Sequence, residues 1–142
     1  MISGHRGAIE RAVALVKDHG IKRGILLPVS APFHCPLMQP AADAMEEALS
    51  KTALQAPLVP LYANVTAAPV ADAETIKRLL VEQVTGTVRW RESVAAMVEA
   101  GVSDFVEFGG KVLGPMVKRT ARDSATASIV TMADIEALVK VI

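Results

Sequence analysis

Cysteine is almost absent: Cys35 is the only one in 142 residues. A lone cysteine cannot close an internal disulfide, which fits a reducing compartment. Neither sign of charge is in excess, since 15 Lys and Arg balance 15 Asp and Glu. That balance argues against a nucleic-acid protein, whose phosphate contacts draw on a basic surplus. It leaves room for a local basic patch toward an acidic partner. No apolar run approaches the roughly 20 residues that span a bilayer. The longest, Gly24 to Val29, has the length of a strand. The opening Met1-Ile-Ser-Gly-His-Arg lacks the apolar centre of a signal peptide. His5, His19 and His34 show no metal-ligand spacing, and no acidic or cysteine cluster accompanies them. Internal repeats, linkers and low-complexity stretches are missing too. The expectation is a cytoplasmic protein with no metal, no nucleic acid and no membrane partner.

What is present is apolar and regular. Hydrophobic residues make up 51% of the chain and charged residues 21%, so a packed core is expected rather than disorder. The length suits one domain or part of a larger one.

Met1 to Ser3 reads as the end of a strand. Ile9, Ala12, Val13, Val16 and Lys17 then fall at helical spacing, and His19-Gly20 supplies a stop. Gly24 to Val29, continuously apolar, predicts a strand buried on both faces. Pro28, Pro32, Pro36 and Pro40 break regular structure, so Ser30 to Pro36 is expected to be a stiff loop beyond that strand. Leu37 to Leu54 reads as an amphipathic helix with Met38, Ala42, Met45 and Leu49 on one face. Pro57 to Asn64 reads as a short strand and Thr66 to Ala71 as a turn. A helix capped by Asp72 is expected to run to Gly86. Helices are further predicted over Trp90 to Ala100, Lys111 to Arg122 and Ala133 to Val141. Strands are predicted over Phe105 to Phe108 and Ser128 to Thr131, with Gly109-Gly110 a tight turn. Alternating strands and helices imply an α/β class with a mainly parallel sheet. A sheet opening on the stub at Met1 would carry an unpaired edge, which suggests that part of the domain lies elsewhere.

The segment Leu27-Pro-Val-Ser-Ala-Pro-Phe-His-Cys-Pro-Leu-Met38 is the most informative. A histidine on a proline-stiffened loop beyond a strand is well placed as a general base, because the loop fixes its ring. The local pattern by itself favours an ordinary loop histidine, such as one that caps the following helix.

This segment resembles the histidine motif of malonyl-CoA:acyl carrier protein transacylases and related acyltransferase domains. Ile2-Ser-Gly-His, Pro60-Leu-Tyr-Ala-Asn-Val, Val88-Arg-Trp-Arg-Glu-Ser-Val and Phe105-Val-Glu-Phe-Gly-Gly-Lys-Val-Leu follow in the family's order and spacing. The resemblance implies the C-terminal part of the family's α/β-hydrolase-like core. In that reading residues 1–29 are a remnant of the small ferredoxin-like subdomain, and 30–142 belong to the large domain. It further implies a ping-pong transfer of malonyl from coenzyme A to the phosphopantetheine thiol of acyl carrier protein, with no cofactor. His34 would be the general base of a serine nucleophile. The main-chain carbonyl of Gln83 would orient its ring and fix its tautomer. Phe33 matches a position where malonyl-selective domains carry Phe, whose bulk would crowd an α-methyl branch. Asn64 matches a position near the substrate.

The departures are equally informative. The family's nucleophile lies in a Gly-x-Ser-x-Gly elbow, and no such pattern occurs in this sequence. The resemblance puts that elbow, an arginine for the malonyl carboxylate and the oxyanion hole upstream of Met1. The expectation is a fragment of a stand-alone enzyme, inactive by itself, with acyl carrier protein, malonyl-CoA and a separate N-terminal half as its partners. The alternatives are an acyltransferase domain of a polyketide or multifunctional synthase, and a non-catalytic carrier-binding module. The loop Gly109-Gly-Lys is one residue shorter than the family's Gly-Pro-Gly-Lys form. Cys35 adjoins His34, but neighbours in an extended loop point apart, so packing is its expected role. Lys111, Lys118, Arg119 and Arg122 place cations on and after one helix, either as a solvated face or toward an acidic carrier.

Overall fold

In a computed structural model of the protein, which describes residues 1–140, the chain forms two compact units that divide between Val88 and Arg89. Each has its own pair of strands, so among the described residues the expected mainly parallel sheet is replaced by two two-stranded sheets, one antiparallel and one parallel.

In the first unit, α1 spans Arg6–Leu15, and Gly20 follows it with φ +71°, in the left-handed region that glycine reaches without strain. The apolar run after it departs from expectation. Residues 24–29 form no strand, and Ile25, Leu26, Leu27 and Val29 are 64%, 55%, 55% and 58% exposed. A strand needs a neighbour to take its backbone hydrogen bonds, and none of the described strands pairs with this segment. It bonds partly to itself instead, Val29 N–H to the Leu27 carbonyl at 2.9 Å.

A short 3₁₀ turn over Pro36–Met38 leads into α2, Gln39–Ser50. This helix is shorter than the apolar spacing implied. Ser50 and Thr52 turn their hydroxyls back onto the carbonyls of Glu47 and Ala48, a local competition that favours helix ends. Of the expected apolar face Ala42 is buried, whereas Met45 is 40% exposed.

Strand β1, Leu61–Ala63, is also shorter than expected, because Pro57 and Pro60 carry no N–H to bond. It turns through residues 64–67 into β2, Ala68–Val70, an antiparallel partner where only a turn was expected. Pro69 disguises β2 in the sequence. Helix α3, Ala73–Thr85, follows as expected: the Asp72 carboxylate accepts the Thr75 N–H at 2.7 Å and caps its first turn. Ile76 and Leu79 are buried on one face of α3, which packs against α2, the 3₁₀ turn and β1.

In the second unit, α4 (Trp90–Glu99) ends near Gly101, at φ +92°. Strand β3 (Asp104–Phe108) pairs in parallel with β4 (Ala125–Ile129). Helix α5 (Leu113–Thr120) connects them and packs on both, burying Gly114 and Val117. This βαβ unit supplies the parallel pairing that the sequence pattern predicted. Helix α6, Met132–Val139, opens with a reciprocal capping box between Thr131 and Asp134; Val141, assigned to this helix by its spacing, lies outside the described residues. No helix among the described residues is long and apolar enough to cross a membrane.

Candidate active site

Helix α3 creates the site by ending where it does. The last four carbonyls of any helix have no partner within it, and Gln83 lies in that final turn. Its carbonyl is therefore available to a group from outside, and it meets Nδ1 of His34 at 2.8 Å. A carbonyl only accepts, so Nδ1 carries the proton and Nε2 presents its lone pair. The ring is half-buried.

The backbone at His34 is unusual, with φ +58°. A side chain in this left-handed conformation costs about 1–2 kcal/mol relative to the right-handed one. Strain of this kind persists where surroundings hold it in place. The next residue supplies one hold: Cys35 is 6% exposed and its thiol donates to the Pro32 carbonyl at 3.1 Å. Its carbonyl in turn accepts the Met38 N–H at 2.9 Å. Cys35 thus packs and pins the loop, as expected, instead of pairing with His34. Phe33 stands on the other side of the histidine with a 46% exposed ring.

Asn64 opens the hairpin turn between β1 and β2. Its side-chain Nδ2 donates to Oε1 of Gln83 at 2.7 Å. One residue therefore joins the other two: Gln83 takes His34 on its main chain and Asn64 on its side chain. The hairpin turn comes this close because residue 86 is glycine. A Cβ there would stand 2.9 Å from the Glu82 carbonyl oxygen and 2.9 Å from Cγ1 of Val65. Sequence reasoning gave Gln83 a backbone role only and missed the use of its amide. The signal was the side-chain pattern of α3, which sets residue 83 on the Ile76–Leu79 face, one turn beyond Leu79.

The second unit holds a separate anionic feature. The Glu107 carboxylate accepts the N–H groups of Val112, Leu113 and Gly114, at 3.0, 2.8 and 3.2 Å. These are the unpaired donors at the start of α5. The Val112 bond, opposed by partial desolvation and aided by the other two, holds the Glu107 carboxyl below the usual carboxylate range. The two glycines permit this: Gly109 has φ +85°, and a Cβ on Gly110 would meet Oε1 of Glu107 at 2.7 Å. In the same unit Trp90 lines a small cavity with Phe105, Leu113 and Val117, and its buried Nε1 finds no hydrogen-bond partner among the described residues. No group of three or more His, Cys, Asp or Glu among the described residues is arranged to hold a metal ion.

Comparison with known proteins agrees with the motifs. Over 129 residues the chain is 44% identical to the malonyl CoA-acyl carrier protein transacylase of Salmonella typhimurium, covering 90% of this chain and 41% of that protein. The crystal structure of the acyl-carrier-protein-S-malonyltransferase from Bartonella henselae superposes with a TM-score of 0.90 at 47% identity. It covers 97% of this chain and 44% of that one. A solved complex of a type II PKS acyl-carrier protein with its malonyl-transacylase also gives a TM-score of 0.90, at 35% identity over 98% of this chain and 45% of that one. No family model matches the sequence. The chain spans about two fifths of the length of the curated relatives it matches.

Proposed function

We propose that this chain, a homologue of the malonyl CoA-acyl carrier protein transacylases, is the C-terminal part of such an enzyme and supplies its general base. The observation that carries this reading is the 2.8 Å contact between Nδ1 of His34 and the Gln83 carbonyl, which leaves Nε2 free to take a proton. In this reading residues 1–29 belong to a small ferredoxin-like subdomain and 30–142 to the large α/β domain. The exposed apolar run at residues 24–29 would then be covered by the remainder of the enzyme, since contiguous apolar surface of this kind marks an interface.

The chemistry proposed is acyl transfer in two halves. Nε2 of His34 takes the proton of a serine hydroxyl as the oxygen attacks the malonyl thioester. The carbon–sulfur bond breaks, and the imidazolium returns the proton to the departing coenzyme A thiolate. His34 then deprotonates the phosphopantetheine thiol of acyl carrier protein. That sulfur attacks the malonyl ester, and the serine oxygen leaves with the proton. The Gln83 carbonyl holds the ring through both halves and stabilises the transient imidazolium. Phe33 faces the acyl group and disfavours an α-methyl branch. One methyl is worth about 1–3 kcal/mol, a preference and not a gate. Asn64 lies near the substrate in the same reading. The reaction asks for no metal or redox cofactor, and its setting is the cytoplasm, where malonyl-CoA and the carrier are the partners.

The serine elbow is absent from this sequence, so the purified chain by itself should transfer no malonyl. Joined to an N-terminal segment that carries Gly-x-Ser-x-Gly, it should malonylate the carrier thiol, read by intact-mass spectrometry. Full turnover by the 142-residue chain alone, or none by the joined protein, would refute the reading.

A further inference from the structure

We propose that Asn64 is a positioning residue for His34, acting through the side chain of Gln83. This deepens the reading of His34 as the base and rests on it. The carbonyl that orients the ring belongs to the last turn of α3, where no intrahelical hydrogen bond holds it and helices fray. A general base needs its ring fixed within a fraction of an ångström and 10–20° or so. Something outside the helix must therefore steady Gln83.

Asn64 is so placed. Its Nδ2 meets Oε1 of Gln83 at 2.7 Å, and both side chains are half-buried. Asn64 is itself anchored, because it opens a hairpin turn closed by the Ala67 N–H on the Ala63 carbonyl at 2.9 Å, with both alanines buried. Gly86 lets this turn press against the end of α3. The result is a three-part relay: hairpin turn, Gln83 amide, Gln83 carbonyl. The last of these receives the Nδ1 proton of His34. The role of Gln83 thus depends on side-chain identity as well as on its backbone.

The test is nitrogen-15 NMR of the imidazoles in the intact chain, which reports which ring nitrogen carries the proton. Wild-type His34 should show the Nδ1–H form alone. Asn64→Ala and Gln83→Met should each release it to a mixture of both tautomers. The double variant should shift it no further than either single one, because both cut the same link. Gln83→Glu keeps an acceptor for Asn64 and should keep the wild-type tautomer. A loss of packing alone would not distinguish Met from Glu in this way. Should Asn64→Ala fail to fold, the Gln83→Met and Gln83→Glu pair still decides, since both retain the backbone carbonyl and a similar side-chain length. An Nδ1–H signal unmoved in Gln83→Met overturns this inference and leaves the general-base reading intact. A wild-type ring protonated on Nε2 overturns the general-base reading itself.

Discussion

The Gln83 carbonyl and the His34 ring lie 49 residues apart in sequence and 2.8 Å apart in space. The link joins a carbonyl in the last turn of a helix, left without an intrahelical partner for a geometric reason, to a loop in an uncommon backbone conformation. The proposed chemistry requires both halves. Without the carbonyl the imidazole has no fixed tautomer, and it meets that carbonyl from a loop whose residue 34 has φ +58°.

The first expectation concerns that conformation. At φ +58° a Cβ is disfavoured and glycine is not. His34→Gly should therefore be more stable than His34→Ala by about 1 kcal/mol. Both lack the imidazole and its hydrogen bond, so their difference isolates the backbone. Urea denaturation of the two variants measures it, and equal midpoints would deny that the native φ is strained.

A second expectation concerns Gly86. Its φ is −88°, so alanine fits the backbone there, but the new Cβ would stand 2.9 Å from both the Glu82 carbonyl oxygen and Cγ1 of Val65. Overpacking of this kind costs about 1–3 kcal/mol. Gly86→Ala should lower stability by that amount in denaturant and push the hairpin turn away from α3. The Asn64–Gln83 hydrogen bond should weaken with it. Faster exchange of the Ala67 amide would report the movement.

The third is a pH dependence. The Glu107 carboxyl has a lowered pKa when folded, chiefly through the Val112 N–H, so the unfolded chain binds its proton more readily. Its stabilising contribution is then complete above the unfolded value, about 4.3. It declines as pH falls through that value toward the lower folded one. The stability difference between wild type and Glu107→Gln should be constant near neutral pH and shrink in acid. A difference that grew on acidification would contradict the sign. Gly110→Ala should mimic the loss, since its Cβ would collide with Oε1 of Glu107.

Much of this was legible in the sequence, for local reasons. Asp72 announced the start of α3, and Gly20 the stop after α1, because caps and left-handed stops are chemistry of a few adjacent residues. The ordered motifs around His34 carried the resemblance to the transacylases. The long-range features were hidden. Strand β2 escaped because Pro69 argues against a strand, yet a two-stranded ribbon tolerates proline at an unbonded position. The run at residues 24–29 was read as a buried strand from its composition, but burial depends on a neighbour, and none of the described strands pairs with it. Asn64 was assigned to the substrate by resemblance, and its contact with Gln83 spans 19 positions that no local pattern links. The Glu107 carboxylate escaped too, since it caps a helix beginning six residues after it.

The central claim is that His34 is the proton acceptor for a serine on a separate stretch of chain. It is tested most directly by the single-turnover rate of malonyl transfer to that serine. The protein to use is this chain joined to an N-terminal segment bearing the elbow, compared with its His34→Ala variant. A base and its nucleophile act as a unit, so the variant should be slower by a factor on the order of 10³ or more, with the fold retained. An undiminished acylation rate in His34→Ala would contradict the account.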